Sequence, residues 1–193
     1  MNEKTMTIPS VVIERLVRGR AAADVLLVIG ASALIAIAAQ VAIPLPFTPV
    51  PLTLQPLAVI LIGVTLGSTR GAAAATLYLL EGFGGLPVFA QGHSGLFALL
   101  GPTAGFLYSY PFAGWLAGFV SERGWGNSIL RAVTGMLLAL GVIYLGGWSW
   151  FAALFDKRTA FAATVAPFVV ADIVKVALGA ALLPKAQKLI ARI

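Results

Sequence analysis

The sequence predicts an all-α membrane protein with six transmembrane helices and both termini in the cytoplasm. Its residues are 60% hydrophobic and 10% charged, whereas soluble domains carry about 25% charged residues. Long stretches contain no charge, and the basic residues fall in alternate connections. We expect one domain over residues 1–193. Residues 1–24 form its cytoplasmic lead-in, as a short amphipathic helix or a disordered segment.

The first two helices come from residues 25–69, which contain no charged side chain. A helix needs about 20 apolar residues to cross a bilayer, so this stretch is long enough for two spans. The sequence PLPFTPVP at 44–51 divides them, because proline lacks an N–H and resists helix formation. We place helix 1 near 25–43, a loop at 44–52 and helix 2 near 53–67.

Four further helices follow a tight turn at 67–71. Helix 3, near 71–81, is short, since ten helical residues rise only about 15 Å. A glycine-rich loop at 82–101 leads to helix 4 near 102–120. Helix 5 is placed near 130–150 and helix 6 near 161–183, where Pro167 is expected to bend the chain.

The basic residues set the orientation. The N-terminal segment, the 2–3 turn, the 4–5 loop and the C-terminal tail together hold all of them except Lys175, within helix 6, and Lys157 and Arg158, in the 5–6 loop. This is a positive-inside pattern, so both termini are predicted to be cytoplasmic. The same pattern explains the formal charge of +6 without a nucleic-acid partner.

Small residues recur four apart, a spacing that lets helices approach closely. We interpret three of these pairs as internal packing, whereas the fourth, Ser32/Ala36, could equally face a partner protein. The three packing pairs are Gly63/Gly67, Gly101/Gly105 and Gly114/Gly118.

Helix 6 carries an acid and a base, Asp172 and Lys175, within the apolar sequence PFVVADIVKVAL. Residues three apart share one face of a helix. Each charge would cost about 2.5–3.5 kcal/mol at mid-bilayer on the translocon scale. The pair therefore either lines a polar substrate cavity, which is the favoured interpretation, or locks helix 6 to its neighbours as a structural ion pair.

Other candidate binding residues lie in or beside the two long loops, neither of which contains lysine or arginine. Such loops are suited to cover a ligand. The sequence also contains no cysteine, no HExxH and no phosphate-binding loop, which argues against an enzyme and against a metal or other cofactor. The candidates at this stage are Thr53, Gln55, Tyr78, Phe89, Gln91 and His93.

Three blocks of the chain resemble the BioY family, the biotin-binding S components of energy-coupling-factor (ECF) transporters. They are the segment at 47–90 that contains FTPVPLTLQ, GPTAGFLYSYPFAGWLAG at 101–118, and PFVVADIVKVAL at 167–178. The resemblance implies an ECF S-component-like bundle of six helices. It also implies high-affinity biotin uptake in the bacterial cytoplasmic membrane, with a T subunit and two cytoplasmic ATPase subunits. A homo-oligomer is the alternative if the chain acts alone.

The resemblance also implies roles for individual residues. Asp172 and Lys175 would bind the ureido ring, Phe89 and Tyr78 would supply an apolar wall, and backbone N–H groups from Gly101 to Thr103 would bind the valerate carboxylate. The sequence AQGHSG departs from the plainer glycine run that is common in the family. Here Gln91 is expected to contact the ureido group and His93 the carboxylate.

Two alternative functions stay open at this point. One is an S component for another vitamin, such as riboflavin or thiamine. The other is a structural membrane protein in which Asp172 and Lys175 form a packing ion pair.

Overall fold

The structure, a computed structural model, describes residues 10–125 and 128–190. This part of the chain is mostly helical, as predicted, but it also contains a two-stranded antiparallel sheet. The strands are β1 (Ala42–Leu45) and β2 (Thr48–Thr53). The helices are α1 (Ser10–Gln40), α2 (Gln55–Leu66), α3 (Ser68–Phe83), α4 (Gly95–Leu100), α5 (Ala104–Glu122), α6 (Ile129–Leu154), α7 (Lys157–Thr164) and α8 (Val169–Ile190).

Helix α1 begins well before the predicted start near residue 25. It is continuous from Ser10 to Gln40, so the separate lead-in helix or disordered segment is wrong for residues 10–24. The sequence IERLVRGRAAAD in this region is rich in strong helix formers and contains no proline, which explains the extension. Residues 1–9 of the predicted lead-in lie outside the described residues.

A β-hairpin occupies the segment predicted to be a loop at 44–52. Ala42 pairs with Thr53 and Leu45 with Thr48, and the ladder is irregular around Pro44. Proline has no N–H to donate to a ladder, which accounts for that irregularity. A hydrogen bond holds the hairpin against α7, since the Thr48 hydroxyl donates to the Ala163 carbonyl at 2.8 Å.

Helices α2 and α3 are separated by a single residue, Gly67, whose φ of 88° favours glycine. Helix α3 begins at Ser68, three residues earlier than predicted, because its first turn has a partner on α5. The Glu122 carboxylate accepts hydrogen bonds from the Ser68 N–H and hydroxyl at 2.6 and 3.0 Å. A carboxylate at a helix N-terminus satisfies free N–H groups and opposes the helix dipole.

The small residues allow α2, α3 and α5 to pack with their backbones in contact. A Cβ on Gly63 would overlap the Gly114 carbonyl oxygen, and one on Gly118 would overlap the Ser68 backbone. Gly105 faces α6 in the same way, so the predicted packing role is confirmed for these positions. The alternative of a partner-facing Ser32 is wrong, because Ser32 is fully buried within the chain.

The predicted helix 6 is two helices, α7 and α8, which meet at an angle of 44°. Pro167 lies in the break, as expected from its missing N–H. Asp156 begins α7 by accepting hydrogen bonds from the N–H groups of Thr159 and Arg158. These bonds, led by that from Thr159, lower the pKa of the exposed Asp156 carboxyl.

Two helices in the described residues are long and apolar enough to cross a membrane by themselves. They are α1 from Arg20 to Gln40 and all of α6, and the bent pair α7–α8 adds a third if it acts as one span. Helix α2 is apolar but shorter. These lengths mark a membrane protein, while the count of six spans and the side of the termini stay predictions.

The close helix contacts generate a stability prediction. Gly63→Ala should lower the free energy of unfolding by about 1–3 kcal/mol, because the added Cβ has no room beside Gly114 and Ala117. Gly141→Ala is the matched control, since nothing lies within 4 Å of its added Cβ. Thermal unfolding in detergent should therefore show a large drop in melting temperature for Gly63→Ala alone. Equal melting temperatures for the two variants would contradict the packing account.

Candidate ligand-binding site

A cavity of about 350 Å³ opens between β2, the segment at 89–103, and helices α5, α6 and α8. This volume lies within the range of small-molecule pockets, about 300–1,000 Å³. Both long segments that the sequence analysis singled out contribute to its lining. The lining of the cavity brings together residues that are far apart in the chain, from Pro49 to Lys175.

Asp172 and Lys175 form an ion pair on the cavity wall. The Lys175 ammonium donates to Asp172 Oδ1 and to the Thr53 carbonyl oxygen, both at 2.7 Å. The Tyr144 hydroxyl donates to the other carboxylate oxygen at 2.7 Å. Asp172 is 4% exposed, and a buried charge is tolerated only when it is paired and hydrogen-bonded.

This pair keeps unused hydrogen-bonding capacity. An ammonium has three N–H donors, of which Lys175 uses two, and a carboxylate offers about four acceptor sites, of which Asp172 uses two. One donor and two acceptor sites therefore stay available to a molecule in the cavity. Hydrogen bonds to charged groups of this kind are stronger than those between neutral groups.

A second polar wall is organised around Gln55, which is 3% exposed. Its amide nitrogen donates to the Tyr78 hydroxyl at 2.5 Å, and its amide oxygen accepts from the Thr53 hydroxyl at 3.2 Å. Tyr78 in turn donates to the Val88 carbonyl at 3.1 Å. This chain fixes the orientation of the Gln55 amide and leaves its second N–H available.

The segment at 89–94 forms one rim of the cavity. Phe89 is buried and packs edge-on against Tyr78, with ring centroids 5.4 Å apart. Gln91 and His93 are exposed at this rim, and Gln91 has a φ of 60°, which is uncommon for a residue other than glycine. The side chain of Gln40 fastens the start of the segment by donating to the carbonyls of Val88 and Phe89.

The segment at 95–103 continues the rim and is fastened from α5 and α6. Tyr108 donates to the Leu99 carbonyl at 2.6 Å, and the Trp150 indole donates to the Gly101 carbonyl at 3.0 Å. Gly101 and Thr103 line the cavity, and Thr103 directly precedes α5. Pro102 between them has no N–H, so any backbone donors here come from its neighbours.

The structure brings nearly all of the predicted site residues to this one cavity. Tyr78 is the exception, because it is fully buried behind Gln55 and Phe89 rather than exposed on the wall. The others all line the cavity: Thr53, Gln55, Phe89, Gln91, His93, Gly101, Thr103, Asp172 and Lys175.

Several lining residues were missed by the sequence analysis. The most informative is Tyr144, a polar group in the middle of the apolar helix α6, whose partner lies 28 positions away. A tyrosine in the middle of an apolar helix could have indicated a polar contact, since a buried hydroxyl generally needs a hydrogen-bond partner. Other missed lining residues come from α5, α6 and the α7–α8 break: Leu107, Tyr110, Ile143 and Phe168. Phe106 of α5, an aromatic residue that the sequence also suggested for an apolar wall, lines the cavity as well.

Comparisons with known proteins identify the family and the fold of the chain. The sequence model described as "BioY family" matches residues 6–192, nearly the whole chain. The chain belongs to the BioY family. Its BioY relatives include the "Probable biotin transporter BioY" of Pyrococcus horikoshii, 41% identical over 75% of this chain and 84% of that protein. The "Biotin transporter BioY" of Thermotoga maritima is 35% identical over 82% and 92%, respectively.

A solved structure supports the fold that the BioY family implies. The crystal structure of "the S-component for biotin from an ECF-type ABC transporter" superposes with a TM-score of 0.79. The match covers 88% of this chain and 93% of that one, at 23% sequence identity. At that identity the likeness establishes the shared fold.

The ion pair generates a second prediction, which requires no ligand. Lys175→Met should lower the free energy of unfolding by about 2 kcal/mol or more, because it leaves the Asp172 carboxylate without its cationic partner. The double variant Asp172→Asn/Lys175→Met should recover most of this loss, since no charge is then buried. Thermal unfolding measures both, and a double variant less stable than Lys175→Met would contradict this electrostatic explanation.

Proposed function

We propose that this chain binds biotin in the cavity and serves as the S component of an ECF transporter. The observation that carries the proposal is that Asp172 and Lys175 line the same cavity as β2 and the segment at 89–103. The family and the names of its relatives direct attention to biotin. The chemistry of the cavity supports the same ligand.

The free donor and acceptor sites of the ion pair match a ureido ring. Such a ring has one carbonyl acceptor and two N–H donors. The third N–H of Lys175 would donate to the carbonyl, and Asp172 would accept from an N–H. Gln55 and Gln91 add neutral amides, and the apolar rings of Phe89 and Phe168 would contact the fused ring and the valeryl chain.

We propose six spans in the cytoplasmic membrane, with both termini inside. Two or three spans follow from helix length alone, and the distribution of basic residues supports the rest. In this arrangement the cavity opens to the outside, where biotin is captured. A T subunit and two ATPase subunits would supply the energy, since the sequence has no phosphate-binding loop of its own.

Binding by the ion pair predicts a specific defect. Asp172→Asn should weaken biotin binding by about 1.5–3 kcal/mol, the range for a hydrogen bond to a charged group. Titration calorimetry of the purified protein measures this loss. Asp156→Asn removes an exposed carboxylate that does not line the cavity, so this control should bind as the unchanged protein does. Unchanged affinity with lowered thermal stability in Asp172→Asn would instead favour the structural ion pair.

The topology can be tested in this cysteine-free chain. Arg123 follows α5 and Thr159 lies in the first turns of α7, and both are exposed. Single cysteines at these positions should react with an impermeant maleimide from opposite sides of the membrane. Labelling of both from the same side would refute the six-span arrangement.

A further inference from the structure

Tyr110 of α5 is a buried tyrosine whose hydroxyl has no partner in the described part of the chain. It is 3% exposed, and its side chain belongs to the hydrophobic core. The other three tyrosines, Tyr78, Tyr108 and Tyr144, each donate to a backbone carbonyl or a carboxylate. The Tyr110 hydroxyl forms no such bond with any described residue, although a buried tyrosine hydroxyl usually has a partner.

The Tyr110 oxygen is in contact with open space. Within the described residues, every side-chain nitrogen or oxygen that protein encloses completely has a hydrogen-bond partner. A buried residue whose hydroxyl has no partner must therefore present that hydroxyl to a space that another molecule can enter. Tyr110 lines the cavity, so the cavity is that space.

The position of this hydroxyl among the other polar groups indicates what it meets. Asp172 and Gln55 are 4% and 3% exposed, and they line the same cavity as Tyr110. Gln91 and His93, by contrast, are exposed at the rim. A buried polar group is costly without a partner, and a phenylalanine would fill the space of the Tyr110 ring without that cost. The buried part of the cavity is therefore suited to the polar ring of a ligand.

We propose that the Tyr110 hydroxyl binds the ligand directly, by donating a hydrogen bond to the carbonyl of its ureido ring. This inference rests on the proposed function, because it assumes a ureido ring that lies against Asp172 and Lys175. A carbonyl oxygen has two acceptor sites, and the third N–H of Lys175 fills only one of them. Tyr110 fills the second, and its own hydroxyl thereby gains a partner.

Tyr110→Phe tests this contact because it removes the hydroxyl and keeps the ring. Calorimetry should show that the variant binds biotin about threefold to tenfold more weakly, as the net contribution of a neutral hydrogen bond allows. The melting temperature of the ligand-free variant should not fall, because the hydroxyl bonds to no described residue. An unchanged Kd for biotin would overturn the proposal.

Tyr144→Phe is the matched comparison for stability. It also removes one hydroxyl from a tyrosine of the cavity wall, but this hydroxyl donates to Asp172 Oδ2 at 2.7 Å. Its loss leaves a buried carboxylate oxygen without a donor, so the melting temperature of the ligand-free protein should fall. If Tyr110→Phe lowers the melting temperature as far as Tyr144→Phe does, Tyr110 has a structural role and the proposal is wrong.

Two further ligands locate the contact on the ligand. Desthiobiotin keeps the ureido ring and the carboxylate but lacks the sulfur, and biotin amide keeps both rings but lacks the charged tail. Tyr110→Phe should weaken the binding of all three ligands by the same factor, because they share the ureido ring. A loss that spares desthiobiotin would assign the hydroxyl to the sulfur, and one that spares biotin amide would assign it to the carboxylate. Either result would overturn the ureido contact.

The outcomes separate this inference from the function beneath it. If the unchanged protein binds biotin and Tyr110→Phe binds it equally well, the role of Tyr110 is refuted and the proposed function stands. If the unchanged protein binds none of the three ligands, the proposed function fails and this inference fails with it.

Discussion

The ion pair between Asp172 and Lys175 joins three parts of the molecule that lie far apart in the sequence. Through Tyr144 it ties α8 to α6, and through the Thr53 carbonyl it ties α8 to the hairpin. Charges in a protein of such apolar composition are costly unless they are paired. The elements that satisfy this pair, α6 and β2, therefore also line the cavity, so the same contacts that stabilise the pair shape the proposed binding site.

The glycine-rich contacts between α2, α3 and α5 complement this arrangement. Where α2, α3 and α5 meet, Gly63, Gly71 and Gly114 bring backbones together without intervening side chains. Near the cavity, larger side chains such as Phe106 and Tyr110 form part of the lining. In a membrane, close packing of small residues contributes much of the association between helices. The chain thus combines a tightly packed region with an open one.

The sequence predicted those features that depend on local composition. Apolar runs located the long helices but not the short α4, which lies within the predicted loop at 82–101. Pro167 marked the α7–α8 break, and the isolated charges on α8 line the cavity, as the favoured interpretation expected. The hairpin was missed because its prolines were interpreted only as helix breakers, and the pairing of Ala42 with Thr53 is not visible in local periodicity. Tyr144 was missed for a similar reason, since its role depends on a residue one helix away. Tyr78 was assigned to the right region but to the wrong layer, because spacing does not distinguish a wall residue from one that supports it.

The central claim is that the ureido ring of the ligand completes the hydrogen bonding of the ion pair. An experimental structure of the protein with bound biotin tests this most directly. The account predicts the ureido carbonyl oxygen within hydrogen-bond distance of Lys175 Nζ and a ureido N–H directed at Asp172, with Tyr144 still bonded to the carboxylate. Biotin bound elsewhere, or in the cavity with its ureido ring away from Asp172 and Lys175, would contradict it.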